Sequence, residues 1–91
     1  MKDLKLKTID SLIRAVCNEN QNQLCKWGVQ DKTPFEWMCN LTEEVGELAE
    51  AISEEYYRDG SKPEVWVEAI QVATLALKIA EMFDSTETGA E

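Results

Sequence analysis

Apolar residues recur at three- and four-residue intervals along most of the chain and nowhere alternate with polar ones, so the pattern predicts helices and no strands. Ile9, Leu12, Ile13, Val16 and Cys17 mark a first helix from about Thr8 to Leu24, ended near Lys26-Trp27-Gly28. Two start signals follow. In "TPFE", Thr33 can cap, Pro34 takes the first helical position where its missing N–H does no harm, and Glu36 completes a capping box. "SKPE", Ser61 to Glu64, repeats the arrangement, and Asp59-Gly60 supplies a break between the two. Helices are therefore expected from about Pro34 to Tyr57 and from about Lys62 to Phe83. The polar tail "DSTETGAE" is expected to fray. No linker, low-complexity segment or long-period repeat divides the chain. The expected fold class is all-α, a small antiparallel helical bundle forming one domain over residues 1–91.

The third helix changes this picture. "VWVEAIQVATLALKIA" is apolar nearly all round, with Glu64, Glu68, Gln71 and Lys78 as its main polar line. Such a helix is normally buried on most sides, and a chain of 91 residues has too little protein to cover it. A bundle completed by association is expected, as a homodimer or a homotetramer.

Charge removes some functions. Eighteen acids against nine cations leave a net charge of −9, and the cations are dispersed, so no surface for a nucleic-acid backbone is visible. Cys17, Cys25 and Cys39 follow no metal-binding spacing and no histidine is present to join them, which argues against a zinc site. They are expected to be reduced, small buried hydrophobes of a cytoplasmic protein. Neither a signal peptide nor a membrane-spanning run of about 20 apolar residues is apparent.

The chemistry concentrates in "NLTEEVGELAEAI", Asn40 to Ile52. On a wheel at about 100° per residue, Leu41, Val45, Leu48 and Ile52 form the apolar face, with Glu43, Glu47, Glu50 and Glu54 opposite. Acids at such intervals usually mark a solvated face, which is the reading taken for Glu43, Glu50 and Glu54. Glu44 instead borders the apolar face, on one strip with Asn40, Glu47 and Ala51. Glu44 and Glu47, at i and i+3, can aim at one point. The third helix carries a matching pair, Glu68 and Gln71. If the two helices run antiparallel, three carboxylates and an amide oxygen converge, a donor set suited to Mg²⁺ or Mn²⁺. The di-iron alternative needs histidine, and "DGSKPE" lacks the ligands of a calcium loop.

These two blocks, "LTEEVGELAEAI" and "EAIQVATLALKI", resemble the MazG-like nucleoside triphosphate pyrophosphohydrolases, an all-α family marked by E-E-x-x-E and then E-x-x-D. Glu43, Glu44 and Glu47 fill the first block and Glu68 opens the second; "KWGVQ", Lys26 to Gln30, adds to the likeness, which covers about Lys26 to Ala80. The resemblance implies a helical assembly and Mg²⁺-dependent cleavage between the α- and β-phosphates of an NTP or dNTP, giving a monophosphate and pyrophosphate. It implies Glu44, Glu47 and Glu68 as metal ligands, with Glu43 or Glu47 orienting the water. Gln71 stands where the motif has aspartate, so the site carries one negative charge fewer.

Cations for the pyrophosphate are sought among Lys26, Arg58, Lys62 and Lys78. Among the tryptophans, Trp37 lies one turn before Leu41 and is the candidate for stacking on a base, with Asn40 on the same strip to hydrogen-bond base or sugar. Trp27, Trp37 and Trp66 also suit core anchoring, and Met38, Tyr56, Tyr57 and Met82 are taken as packing residues. Two other readings stay open: a catalytically silent helical dimer that binds nucleotide or a protein partner, and a purely structural acidic bundle.

Overall fold

The computed structural model describes residues 9–84, which form three α-helices: α1 (Ile9–Trp27), α2 (Pro34–Arg58) and α3 (Lys62–Met82). The expected start at Thr8 and the expected frayed tail beyond Asp84 lie outside the described residues. None of these helices is long and apolar enough to cross a membrane.

α1 continues nearly a turn past the expected Leu24. It stops where Gly28 turns to φ +69° and its N–H donates to Leu24 O at 2.8 Å, a left-handed closure that glycine adopts without a Cβ penalty. α2 opens on the full capping box. Thr33 Oγ1 accepts from Glu36 N–H at 3.2 Å, and the Glu36 carboxylate accepts from Thr33 N–H at 2.9 Å. That bond holds the Glu36 carboxyl below its usual range. At α3 the cap is simpler than "SKPE" suggests: Ser61 Oγ accepts from Glu64 N–H at 3.2 Å.

The reversal between α2 and α3 needs both residues of the Asp59-Gly60 break. Asp59, not the glycine, takes the left-handed conformation at φ 55°. Gly60 donates its N–H to Glu54 O at 2.9 Å, and a Cβ there would sit 2.9 Å from the Glu54 carbonyl carbon. Close approach of the returning backbone thus requires the glycine.

α3 is the central element and packs against both α2 and α1; α1 and α2 make no packing contact of their own among the described residues. Among the described residues Trp37, Ile70, Thr74 and Leu75 are buried. Thr74 is 2% exposed, and its hydroxyl donates to Ile70 O at 2.8 Å, so no polar atom is stranded. α1 has no buried residue.

The α2 surface turned to α3 is rotated from the expected one. Trp37, Leu41, Glu44, Leu48, Ala51 and Glu55, buried or half-buried at alternating four- and three-residue steps, run along it. Val45 and Ile52, placed by the sequence on the covered face, are 47% and 49% exposed. The apolar stripe of α2 is wider than one neighbour covers, and the half containing Glu44 is the half that packs. Three further expectations fail for the same shortage of covering protein. Cys17, Cys25 and Cys39 are free but exposed instead of buried. Met38, Tyr56, Tyr57 and Met82 are exposed instead of packed, the two tyrosine rings meeting edge to face at 4.8 Å. Trp27 and Trp66 are exposed, leaving Trp37 as the core tryptophan.

Candidate functional site

Because the Asp59-Gly60 turn folds α3 back along α2, Glu44 and Glu47 come opposite Glu68 and Gln71. One carboxylate oxygen from each of Glu44, Glu47 and Glu68 lies within 4.8 Å of the other two. Gln71 joins them: with its amide turned to satisfy both neighbours, Nε2 donates to Glu44 Oε2 and to Glu68 Oε2, each at 3.0 Å. The i, i+3 spacing read from the sequence therefore does bring these four side chains together.

Three acids so close cannot all be ionised at low cost. Partial burial, reinforced by the charges of Glu47 and Glu68, pushes the Glu44 carboxyl up from 4.5 to about 7. Partial burial and the Glu47 charge raise Glu68 as well. Near neutrality Glu44 is therefore the acid of the cluster that most readily carries a proton. A divalent cation could take that proton's place, and the hard oxygen donors fit one; Gln71 can contribute its own oxygen by rotating its amide.

The cluster lies between two open spaces. A groove of about 330 Å³ runs between α1 and α2, floored by Gln71 and Leu75 of α3 and walled by Trp27, Trp37, Asn40, Glu43 and Glu44. On the other side a cleft of about 530 Å³ extends toward the α2–α3 turn, lined by Glu47, Glu50, Glu54, Glu64 and Glu68. Glu50 and Glu54, expected on a solvated face, thus line an acidic cleft, with Glu54 also paired to Arg58 at 3.1 Å. The cause is again the rotation of α2, which carries its acidic edge toward α3.

Other expected residues divide. Asn40 lines the groove half-buried, and Glu43 stands exposed in its wall. Trp37 is 9% exposed, with Lys32 Nζ 4.8 Å and Lys78 Nζ 5.2 Å from its ring centroid. Its ring is engaged by ammonium groups and buried, which argues against the stacking role expected of it. Trp27, across the groove and 58% exposed, offers the accessible indole. Lys26 lies over the Trp27 ring at 5.1 Å and is not among the residues that line the groove. Lys78 donates to Gln23 Oε1, joining α3 to α1.

Sequence reasoning passed over Gln23 and Lys32, and named Gln30 only within "KWGVQ"; all three line the groove. Gln23 lies on α1, while Gln30 and Lys32 lie in the connection to α2. Their place at the groove depends on the docking of α1 on α3, which no spacing within a single helix encodes.

Comparison of the chain with protein-family models, with curated proteins and with solved structures finds no match in any of the three.

Proposed function

We propose that this protein is a Mg²⁺-dependent nucleotide pyrophosphohydrolase of the MazG-like kind, converting an NTP or dNTP and water to the nucleoside monophosphate and pyrophosphate. The observation that carries this reading is the convergence of Glu44, Glu47 and Glu68, with Gln71 beside them, between a groove lined by Glu44 and Gln71 and a cleft lined by Glu47 and Glu68, each large enough for a small organic ligand. The likeness of the two glutamate blocks to the family motif supports it.

Glu44, Glu47 and Glu68 would hold the cation, with Gln71 supplying a neutral oxygen. When bound, Mg²⁺ neutralises charge on the phosphate oxygens and on the departing pyrophosphate. The chain's residues do the rest. Glu47 or Glu43, both exposed, accepts the proton of the attacking water as its oxygen bonds to the α-phosphorus and the bond to the bridging oxygen breaks. Asn40 hydrogen-bonds the sugar or base, and Trp27 stacks on the base.

The protein in this proposal is a homodimer or a homotetramer. Val45 and Ile52 of α2, with Trp66 and Leu77 of α3, are 47–56% exposed. On helical wheels they lie on the side of the α2–α3 pair away from the groove. A second copy covering this face leaves the groove open.

The catalytically silent alternative is favoured by one observation, the neutral Gln71 between Glu44 and Glu68, which lowers the charge available to hold a cation. One experiment separates the readings: incubation with a panel of nucleoside triphosphates and Mg²⁺, with product identification. Monophosphate and pyrophosphate are expected, abolished by Glu44→Gln and by Glu68→Gln. Nucleotide binding without any product would establish the silent reading.

A further inference from the structure

The chain's net charge is −9, yet two of its nine cations gather over one buried indole. Lys32 and Lys78 place their ammonium nitrogens 4.8 and 5.2 Å from the Trp37 centroid, so the two are no more than about 10 Å apart. They arrive from different elements. Lys32 precedes the α2 cap at Thr33, and Lys78 stands one turn before the end of α3. Both are half-buried.

This arrangement carries costs that a surface lysine avoids. Two like charges repel, and partial burial weakens the hydration of each ammonium. Burial holds the Lys78 amine below the usual lysine range, and Lys32 acts in the same direction, against the opposing pull of Glu19 and Glu81. The indole face offsets part of this. A carboxylate partner would offset more, and Glu19, Glu36 and Glu81 are all near. Among the described residues none of them comes within ion-pair distance of either lysine. Instead Gln23 is interposed: Lys78 donates to its Oε1, and its Nε2 donates to Glu19 Oε2 at 2.7 Å. The amide passes the charge along while leaving the remaining Lys78 donors unclaimed.

The placement relative to the groove gives this pair a use. Lys32 and Trp37 line both the groove and an adjoining space of about 340 Å³, which Lys78 lines too. The two spaces share Gln23, Gln30, Lys32 and Trp37; Glu44 lines only the first, and Lys78, with Asp31 and Glu81, only the second. We infer that Lys32 and Lys78, supported on Trp37, bind the terminal phosphates of a nucleoside triphosphate. The inference rests on the nucleotide reading for the rest of the ligand, but the anion contact itself does not need it. Two ammonium groups that repel each other are drawn together by a multiply charged anion between them, each through charge-assisted hydrogen bonds. The positions of the lysines and of Glu44 also set the ligand's direction, with the tail at the lysines and the α-phosphate beside Glu44.

The test is calorimetric titration of inorganic pyrophosphate into the full chain in magnesium-free buffer, with thermal melting of every variant to establish that it folds. Saturable binding is expected for the wild type. Lys32→Gln and Lys78→Gln should each weaken it about tenfold, the loss of one charge-assisted contact. Lys78→Arg should retain binding, and Lys26→Gln, whose charge lies over Trp27, should alter it by no more than about twofold. Absence of binding, or equal weakening in the Lys26 variant, overturns the inference. Pyrophosphate binding of this pattern without turnover of any nucleotide supports the anion site and sinks the hydrolase. Turnover with an unchanged KM in the Lys32→Gln/Lys78→Gln double variant overturns the anion site and leaves the hydrolase standing.

Discussion

Gln71 ties Glu44 to Glu68: its Nε2 lies 3.0 Å from a carboxylate oxygen of each, bridging α2 and α3 across the acidic cluster. The amide does without a cation what a cation does when present, holding two acids of different helices together. Half a turn of the same amide would present oxygen to a bound ion instead. A carboxylate at this position could serve only the second state.

Gln71→Asp is therefore expected to destabilise the metal-free protein and to increase its response to Mg²⁺. Loss of two hydrogen bonds to acids and gain of a like charge should cost roughly 1–2 kcal/mol. For a domain this small that lowers Tm by about 5–15 °C in a chelating buffer. Saturating Mg²⁺ should narrow or reverse the gap, as mass action requires. Identical melting of both proteins in chelator would refute the bridging role.

Glu44 gives the cluster a pH dependence whose sign is fixed. Its carboxyl is raised from 4.5 to about 7 in the folded state, so the folded protein binds this proton more tightly than the unfolded chain does. Glu68 is shifted the same way. The Glu44 contribution to stability is complete below about pH 4.5 and is lost as pH rises through about 7, and that of Glu68 has the same sign. Glu36, lowered by its capping bonds, acts oppositely, but only below its usual 4.5. Metal-free melting temperatures should therefore fall between about pH 5 and pH 8. Mg²⁺ affinity should rise over the same interval, because the ion displaces the proton. A flat metal-free profile would remove the Glu44 proton from the account.

The two tryptophans of the groove should respond differently to truncation. Trp37→Ala removes the 9%-exposed anchor of α2 and should cost about 3–5 kcal/mol, enough to unfold most of the population. Trp27→Ala touches a 58%-exposed ring and should leave stability within about 0.5 kcal/mol. If the base stacks there, KM should rise by about tenfold with little change in Tm. An unchanged KM would send the base elsewhere.

The uncovered side of α3 supplies the test of association. Ala69, Ala76 and Ala80 are exposed there beside Trp66 and Leu77. A charge inserted among them should be tolerated by a lone chain and not by a packed pair. Sedimentation at micromolar concentration should find a dimer or tetramer for the wild type and a monomer for Ala76→Glu. A wild-type monomer would leave the exposed apolar surface without its proposed cover.

Element boundaries were legible because their signals are local. Thr33, Pro34 and Glu36 lie within one turn, and the hydrogen bonds they make are those their spacing allows. Glu44 and Glu47 were legible as a pair for the same reason, and Glu68 with Gln71 followed once a short turn made the helices antiparallel. The burial of Cys17, Val45 and Tyr56 was not legible. Their apolar character says that they can be covered, while coverage depends on whether another helix arrives, and among the described residues α3 packs against α1 and α2 alone.

By itself the sequence determined three helices, the Thr33 capping box, and four oxygen-bearing side chains at spacings that permit convergence, because each depends on residues within a turn or across one tight reversal. The tertiary structure alone decided which half of the α2 stripe packs, that Trp37 is core while Trp27 is accessible, and that Lys32 and Lys78 meet over one ring. Those outcomes depend on how far each helix is rotated and where α1 settles on α3. A difference of about 50° in that rotation leaves every local pattern intact and changes which residues touch.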